Sequence, residues 1–388
     1  MPIRPRTNIS LVALASMAAC LMGCSEDFSS SDSNTGNIQV TVSGEELAVD
    51  GFSFPTGSEV VLSDGWEMEF SHILVAIDHI TLSKNPDKMP SDQSQTGPVV
   101  AEQDGPWVVD VHRPGSVPNV GGEGKAVPLV SFDNQNQNGN APFATDERYA
   151  FGYDLVALTE DAIKVNLEDD QESDDLVKEM IDQGYSVLYA GTARFVGTDC
   201  QSSDDAYDFS RLPEEVPFTF GFDTPVSNIN CQNQENQGDP FDGEEYQRGI
   251  PIKSNQASVA QITLHVEHPF FSDVQHDPTL YFDQFAAQLV GADSEQQLGL
   301  GDLEGVDPTA FTDAEGNDLP WRVCDGSSLP DNPVRSFGVG SVPVDPQADP
   351  QDALRDYRDY VRYVQSTQGH LNGGEGLCFV QRNYPSPP

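Results

Sequence analysis

The sequence predicts a mainly β fold: a β-sandwich-like domain with two short helices, followed by a disulfide-pinned C-terminal segment that contains one helix. Three observations lead there. Apolar residues make up 37% of the 388-residue chain and fall in short runs that alternate with polar ones, the period of strands with one buried face. The chain holds 20 Phe and 28 Pro but few stretches with helical periodicity. No fixed-period repeat appears, which argues against a solenoid.

In chain order, Ile38 to Val42 (IQVTV) reads as the first strand. Trp66, Met68 and Phe70 alternate with Glu67 and Glu69; the alternation breaks at Ser71-His72 and resumes at Ile73, Val75 and Ile77. That break predicts a β-bulge inside one long strand reaching Leu82. Trp107 to Val111, Arg148 to Leu158, Tyr185 to Val196 and Phe218 to Phe222 follow as further strands, with polar loops between them. A helix is expected at 174–183, with Leu176, Met180 and Ile181 on one face and Gly184 as its stop. A second is expected at 278–290, with Asp277 as N-cap, Pro278 at the first helical position and Phe282, Phe285, Ala286 and Leu289 buried. Asp283 falls on the presumed solvent side of that helix. Ala353 to Gln365 is the third, with Leu354, Tyr357, Val361 and Val364 on one stripe. The domain is therefore expected over 38–291 and the C-terminal segment over 301–388.

The N-terminus carries targeting information. Arg4 and Arg6 precede an apolar run from Ile9 to Met22, which ends in Leu21-Met22-Gly23-Cys24. The run is shorter than the ~20 residues a membrane span needs, and it has the layout of a secretory signal. Its last four residues resemble the bacterial lipobox. The resemblance implies cleavage after residue 23 and lipidation of Cys24 with diacylglycerol and palmitate-type chains. Residues 24–37 then form a polar tether. Ser25 follows the cysteine where an aspartate would favour inner-membrane retention, so the outer membrane is the expected location, the acyl chains being the membrane partner. The strand order containing Val75–Leu82 (VAIDHITL), Gly105–Val111 (GPWVVDV) and Arg148–Leu158 (RYAFGYDLVAL) resembles uncharacterised β-sandwich lipoproteins. It is also similar in pattern to methanobactin-associated copper-binding periplasmic proteins. No ligand carries over from that similarity.

Net charge is −44. Such a surface repels phosphate backbones and anionic lipid headgroups, which excludes nucleic acid as a partner. Beyond Cys24 four cysteines remain: Cys200, Cys231, Cys324 and Cys378. In an exported chain an even number reads as two disulfides. Pairing neighbours, Cys200 with Cys231 and Cys324 with Cys378, closes the shortest loops and is the expected connectivity.

The richest chemistry lies at Ile262 to Phe285, which holds His265, His268 and His276, three of seven histidines, with Glu267 among them. Imidazole with carboxylate suits Zn(II) or Cu(II), so these four residues are the candidate metal ligands. His265 and His268 sit on opposite faces of a straight strand, so a shared ion requires the chain to turn at Pro269. His370, far along the chain, is expected outside the site. Asp313 to Asp318 (DAEGND) resembles part of a calcium loop but lacks the closing glutamate, and a hairpin turn accounts for it better. No GxSxG, SxxK, HExxH or phosphate-binding glycine loop occurs, and no catalytic residue can be assigned. The expected function is a non-enzymatic binding or structural role in the cell envelope, with an unassigned protein partner. A His/carboxylate metal-binding lipoprotein is the alternative, and an extracytoplasmic enzyme of unassigned class is the third reading.

Overall fold

The computed structural model describes residues 36–54, 60–121, 124–241, 243–254, 256–275, 278–293, 296–349 and 353–383. The expected signal sequence, Cys24, His276 and Asp277 lie outside the described residues.

Two sheets form the body. The smaller has five strands in the order Gly369–Leu371, Ser258–Leu264, Ile38–Ser43, Lys125–Phe132 and Val117–Pro118. The larger, of eleven strands, has a backbone order Leu298–Gly299, Glu215–Phe222, Val187–Phe195, Trp66–Ser83, Arg148–Leu155, Val226–Ile229 and Phe379–Arg382. The chain is mainly β, and its helices are short, as the sequence predicts.

Trp66–Ser83 is the axis of the larger sheet. Its first half pairs with Val187–Phe195 and the register shifts between Phe70 and His72, where the broken alternation predicts a bulge. Its second half pairs with Arg148–Leu155. Trp66, Met68, Phe70, Ile73, Val75 and Ile77 enter the main core, whereas Leu74 and Ala76 face a smaller cluster with Val177 and Met180. The helix Gln171–Gln183 supplies that cover. It starts where Asp170 accepts a hydrogen bond from the Ser173 amide at 2.9 Å and stops at Gly184, whose φ of 70° suits glycine. The strand is thus buried on both faces in its middle, which explains why its alternation fades there.

Aromatic rings fill the space between the sheets. Phe218 meets Phe70 edge-on at 6.1 Å, Phe220 stacks on Phe285 at 5.3 Å, and Trp66 lies 5.0 Å from Phe282. Each fully buried Phe contributes about 1.5–3 kcal/mol of burial free energy.

Several expectations are corrected. The helix expected at 278–290 is only Asp283–Ala286, continued by a 3₁₀ turn at Ala287–Leu289. Residues 278–281 stay outside the helix because Leu280 bridges to Leu62 and Phe271, and Phe282, whose amide donates to Asp64, stands as its N-cap. The C-terminal helix begins at Tyr357, capped by Asp356, not at Ala353. Segment 301–388, expected as an appendage, supplies Gly369–Leu371 to one sheet and Phe379–Arg382 to the other. The residues from Asn34 onward form one compact unit.

The disulfides join Cys200 to Cys324 and Cys231 to Cys378, not sequence neighbours. Chain-entropy reasoning favours short loops, but sheet pairing decides which sulfurs meet. Gln201–Ser202 pairs with Arg322–Val323, which brings Cys200 beside Cys324. Val226–Ile229 pairs with Phe379–Arg382, which brings Cys231 beside Cys378.

Asp283, expected on a wet helix face, is fully buried. With Asp64, Arg322 and Arg335 it forms a four-charge network that ties the start of the long strand to the C-terminal segment. Arg335 Nη1 lies 3.0 Å from Asp64 Oδ2 and Nη2 3.1 Å from Asp283 Oδ2; Arg322 Nε lies 3.0 Å from Asp283 Oδ2. Trp66 Nε1 donates to Asp283 Oδ1 at 2.8 Å. Each charge has an opposite partner, the condition under which buried ions are tolerated.

Candidate metal centre

The parallel register of Ile38–Ser43 with Ser258–Leu264 runs from Ile38 opposite Ser258 to Ser43 opposite Thr263. Both strands end at the same level, so Glu45 and His265, each two residues past a paired position, emerge together. On the other side of Ser258–Leu264, Gly369–Leu371 pairs antiparallel and places His370 opposite Thr263. The His265 amide donates to Gln368 O at 2.9 Å, which extends that pairing past the strand end. A 3₁₀ turn then spans His268–Phe270, with Pro269 inside it. The turn that a shared site requires comes just before it, at Val266-Glu267, where the His268 amide donates to His265 O at 3.5 Å. It swings His268 back toward His265, with ring centroids 5.9 Å apart.

Three imidazoles therefore converge: His265, His268 and His370, each offering a ring nitrogen, with these atoms all within 4.8 Å of one another. His370 lies 4.6 Å from His265 and 5.7 Å from His268, centroid to centroid. His268 and His370 are buried and His265 is half-buried, so the group opens to solvent on the His265 side. Sequence reasoning places His370 outside the site; the structure puts it inside. His276, the expected third ligand, lies outside the described residues.

Hydrogen bonds orient two of the rings. His268 Nδ1 lies 3.2 Å from Val364 O and 2.9 Å from Thr367 Oγ1, and that hydroxyl itself donates to Val364 O at 2.8 Å. A carbonyl only accepts, so Nδ1 carries the hydrogen and the lone pair of the neutral ring sits on Nε2. His265 Nδ1 is 2.7 Å from Glu267 Oε1. Glu267, expected as a ligand, instead occupies the orienting position that carboxylates hold behind metal-bound histidines. On the far side of the ring, Nε2 lies 3.5 Å from Glu45 Oε2. Burial alone would lower the His265 pKa, but Glu267, Glu45 and Glu375 outweigh it and carry it up to about 9. Glu267 is held below its ordinary value: burial pushes it up, and the His265 charge and hydrogen bond prevail.

The chain over the site is tight. A Cβ on Gly374 would meet His265 Cε1 at 2.4 Å and Nε2 at 2.6 Å, so only glycine lets this loop close on the ring.

The other described histidines are employed elsewhere. His72 Nε2 lies 3.1 Å from Ser173 Oγ, His112 Nδ1 is 2.7 Å from Ala48 O, and His79 is exposed beside Asp104. The calcium-like stretch is a turn. Asp313 Oδ1 accepts from the amides of Glu315 and Asn317 at 3.0 and 2.9 Å, and Oδ2 faces Tyr207 Oη at 3.2 Å. Among the described residues no cysteine is available as a thiolate ligand, because all four are in disulfides.

No protein-family model, curated protein or solved structure matches this chain.

Proposed function

We propose that the chain is a lipid-anchored envelope protein, held through Cys24, whose folded part binds one Zn(II) or Cu(II) ion through His265, His268 and His370. The observation that carries this reading is the convergence of three imidazoles from separate elements, two of them aimed by Nδ1 hydrogen bonds. Metal–nitrogen bonds of about 2.0–2.1 Å place tetrahedral donors roughly 3.3 Å apart, so the rings close by a modest side-chain adjustment. The donor set, three imidazoles with carboxylates beside them and no thiolate or thioether, suits these two ions. The role is binding or storage at a membrane surface, not catalysis.

A second reading rests on one specific observation. His265 sits between Glu267 and Glu45 with its pKa carried up to about 9. An imidazolium caged by carboxylates would staple the strand ends together without any metal.

Metal analysis separates the two. The full-length protein, purified from its envelope and equilibrated with Zn(II) or Cu(II) under buffered free-metal conditions, should carry one ion per chain. His265→Ala, His268→Ala and His370→Ala should each lose it, and His79→Ala should not. Stoichiometry near zero in the wild type, or equal retention in His370→Ala and His79→Ala, would establish the staple reading instead.

A further inference from the structure

We infer that Glu45 is the fourth ligand of this centre, its carboxylate binding the ion directly and closing the site as three imidazoles and one carboxylate. The inference rests on the metal reading above and deepens it.

Three observations converge on Glu45. First, its Oε2 lies 3.5 Å from His265 Nε2. Metal–nitrogen bonds of about 2.0–2.1 Å and metal–oxygen bonds of about 2.0–2.2 Å give a tetrahedral donor–donor edge of roughly 3.3–3.5 Å. Glu45 and His265 are already at the spacing of two ligands on one ion. Second, the two carboxylates flanking His265 occupy different positions. Glu267 is on Nδ1, at hydrogen-bond length. Glu45 is on Nε2, the nitrogen left for the ion when Nδ1 is held by Glu267. The ring nitrogens point away from each other, so an ion on Nε2 is out of reach of the Glu267 oxygen on Nδ1 but beside the Glu45 oxygen.

Third, the backbone at Glu45 is strained in a way that serves this placement. Its φ is 59°, in the left-handed region that a non-glycine residue enters at a cost. The preceding residue, Gly44, has φ −101° and needs no such freedom. The chain therefore puts a glutamate at the strained first position of the short helix Glu45–Asp50, while glycine stands one residue earlier as its N-cap. The Glu45 amide is held by Ser43 Oγ at 3.0 Å, which fixes the turn. Strain of this kind persists where a side chain must be aimed. Here it follows directly on the parallel strand pair that sets Ser43 opposite Thr263, and it delivers the carboxylate beside His265, next to the group in which the three imidazoles alone are mutually close.

The ligand class follows. Three neutral imidazoles and one carboxylate carry a single negative charge. That set favours a divalent ion of intermediate softness in four-coordinate geometry, and with all four positions filled by protein it resembles a binding site, not a catalytic one with an open position.

The test uses the intact protein loaded with Co(II) as a spectroscopic substitute for Zn(II), together with Zn(II) competition titration. Glu45→Gln and Glu267→Gln are compared with wild type. Wild type should show the intense visible bands of four-coordinate Co(II). Glu45→Gln should weaken Zn(II) binding at least 100-fold and shift the Co(II) bands, because a ligand is replaced. Glu267→Gln should weaken binding by about 10–100-fold and leave the band positions in place, because only the orientation of His265 is disturbed. Glu45→Gly adds a readout in the metal-free protein. It loses the ion pair with His265, as Glu45→Gln does, but relieves the left-handed strain, so in the metal-free state it should melt above Glu45→Gln while metal affinity falls in both. If wild type binds no metal, the metal reading itself fails. If wild type binds and Glu45→Gln retains both affinity and Co(II) spectrum, the centre stands and the Glu45 assignment is overturned.

Discussion

Replacing Arg335 with methionine should be among the most damaging single changes in this protein, and its effect should depend on pH in a defined direction. The guanidinium is fully buried. It donates to Asp64 Oδ2 at 3.0 Å, to Asp283 Oδ2 at 3.1 Å and to Gln284 Oε1 at 2.7 Å. Methionine fills much of the volume but leaves two buried carboxylates facing the single cation of Arg322. Removing one member of a buried ion pair costs about 3–5 kcal/mol. In the wild type, burial pushes Asp64 up to about 6, nearby Asp283 adds to this, and Arg335 opposes both. A folded-state pKa above the unfolded one means that the contribution of Asp64 is fully present below about 3.8 and lost as pH rises through about 6. At neutral pH the burial of ionised Asp64 is thus already a net cost to stability. Without Arg335 that cost grows, so the variant should lose about 3–5 kcal/mol at pH 7 and distinctly less at pH 5, where Asp64 takes up a proton. Adding Asp64→Asn to Arg335→Met should recover about 2 kcal/mol at pH 7, since Asn still accepts from the amides of Phe282 and Asp283. Urea unfolding of the chain from Ser25 onward, followed by near-ultraviolet signal at both pH values, reads these quantities. Equal losses at pH 5 and 7, or a loss under 1 kcal/mol, would show that the four charges do not act as a network.

Other outcomes follow from individual contacts. Cys231→Ala with Cys378→Ala should destabilise by about 2–5 kcal/mol and also weaken metal loading, because Cys378 pins the hairpin that carries His370. Unchanged loading would separate the disulfide from the site. Gly374→Ala should reduce Zn(II) affinity with little change in apo stability beyond local loop displacement; wild-type affinity would show that the loop does not close on His265. Cys24→Ser should move the protein from the membrane to the soluble fraction and abolish palmitate labelling, whereas equal membrane recovery would refute the lipid anchor. Phe282→Ala should cost about 3–5 kcal/mol by opening a cavity among Trp66, Phe218 and Phe285, as read by the same unfolding assay.

Local pattern determined much of the architecture. The alternation of Trp66, Met68 and Phe70, its break at His72 and its resumption at Ile73 specified the long strand and its bulge, because side-chain direction reverses at every residue and one extra residue leaves a visible defect. Gly184 marked the end of the helix Gln171–Gln183 for an equally local reason, the left-handed cap. The even count of cysteines in a chain whose N-terminus reads as a secretory signal pointed to two disulfides. Their pairing was beyond reach, since loop-closure entropy grows only slowly with length and sheet register outweighs it.

The candidate centre divides the same way. His265, His268 and Glu267 lie within four residues of each other, and the turn that joins the two rings falls just before Pro269, at Val266-Glu267. What composition could not assign was role: Glu267 fell behind the ring because a hydrogen bond to Nδ1 was nearer than any shared ion. His370 and Glu45 are separated from His265 by 105 and 220 residues, and no spacing rule spans such distances. Only the pairing of three strands, parallel on one side of Ser258–Leu264 and antiparallel on the other, brings their ends to one point. The same holds for Asp283, whose helix face reads as wet until Arg322 and Arg335 arrive from the C-terminal segment. Periodicity is a property of neighbours along the chain, whereas a site and a buried ion network are properties of strand order, and strand order exists only once the chain has folded.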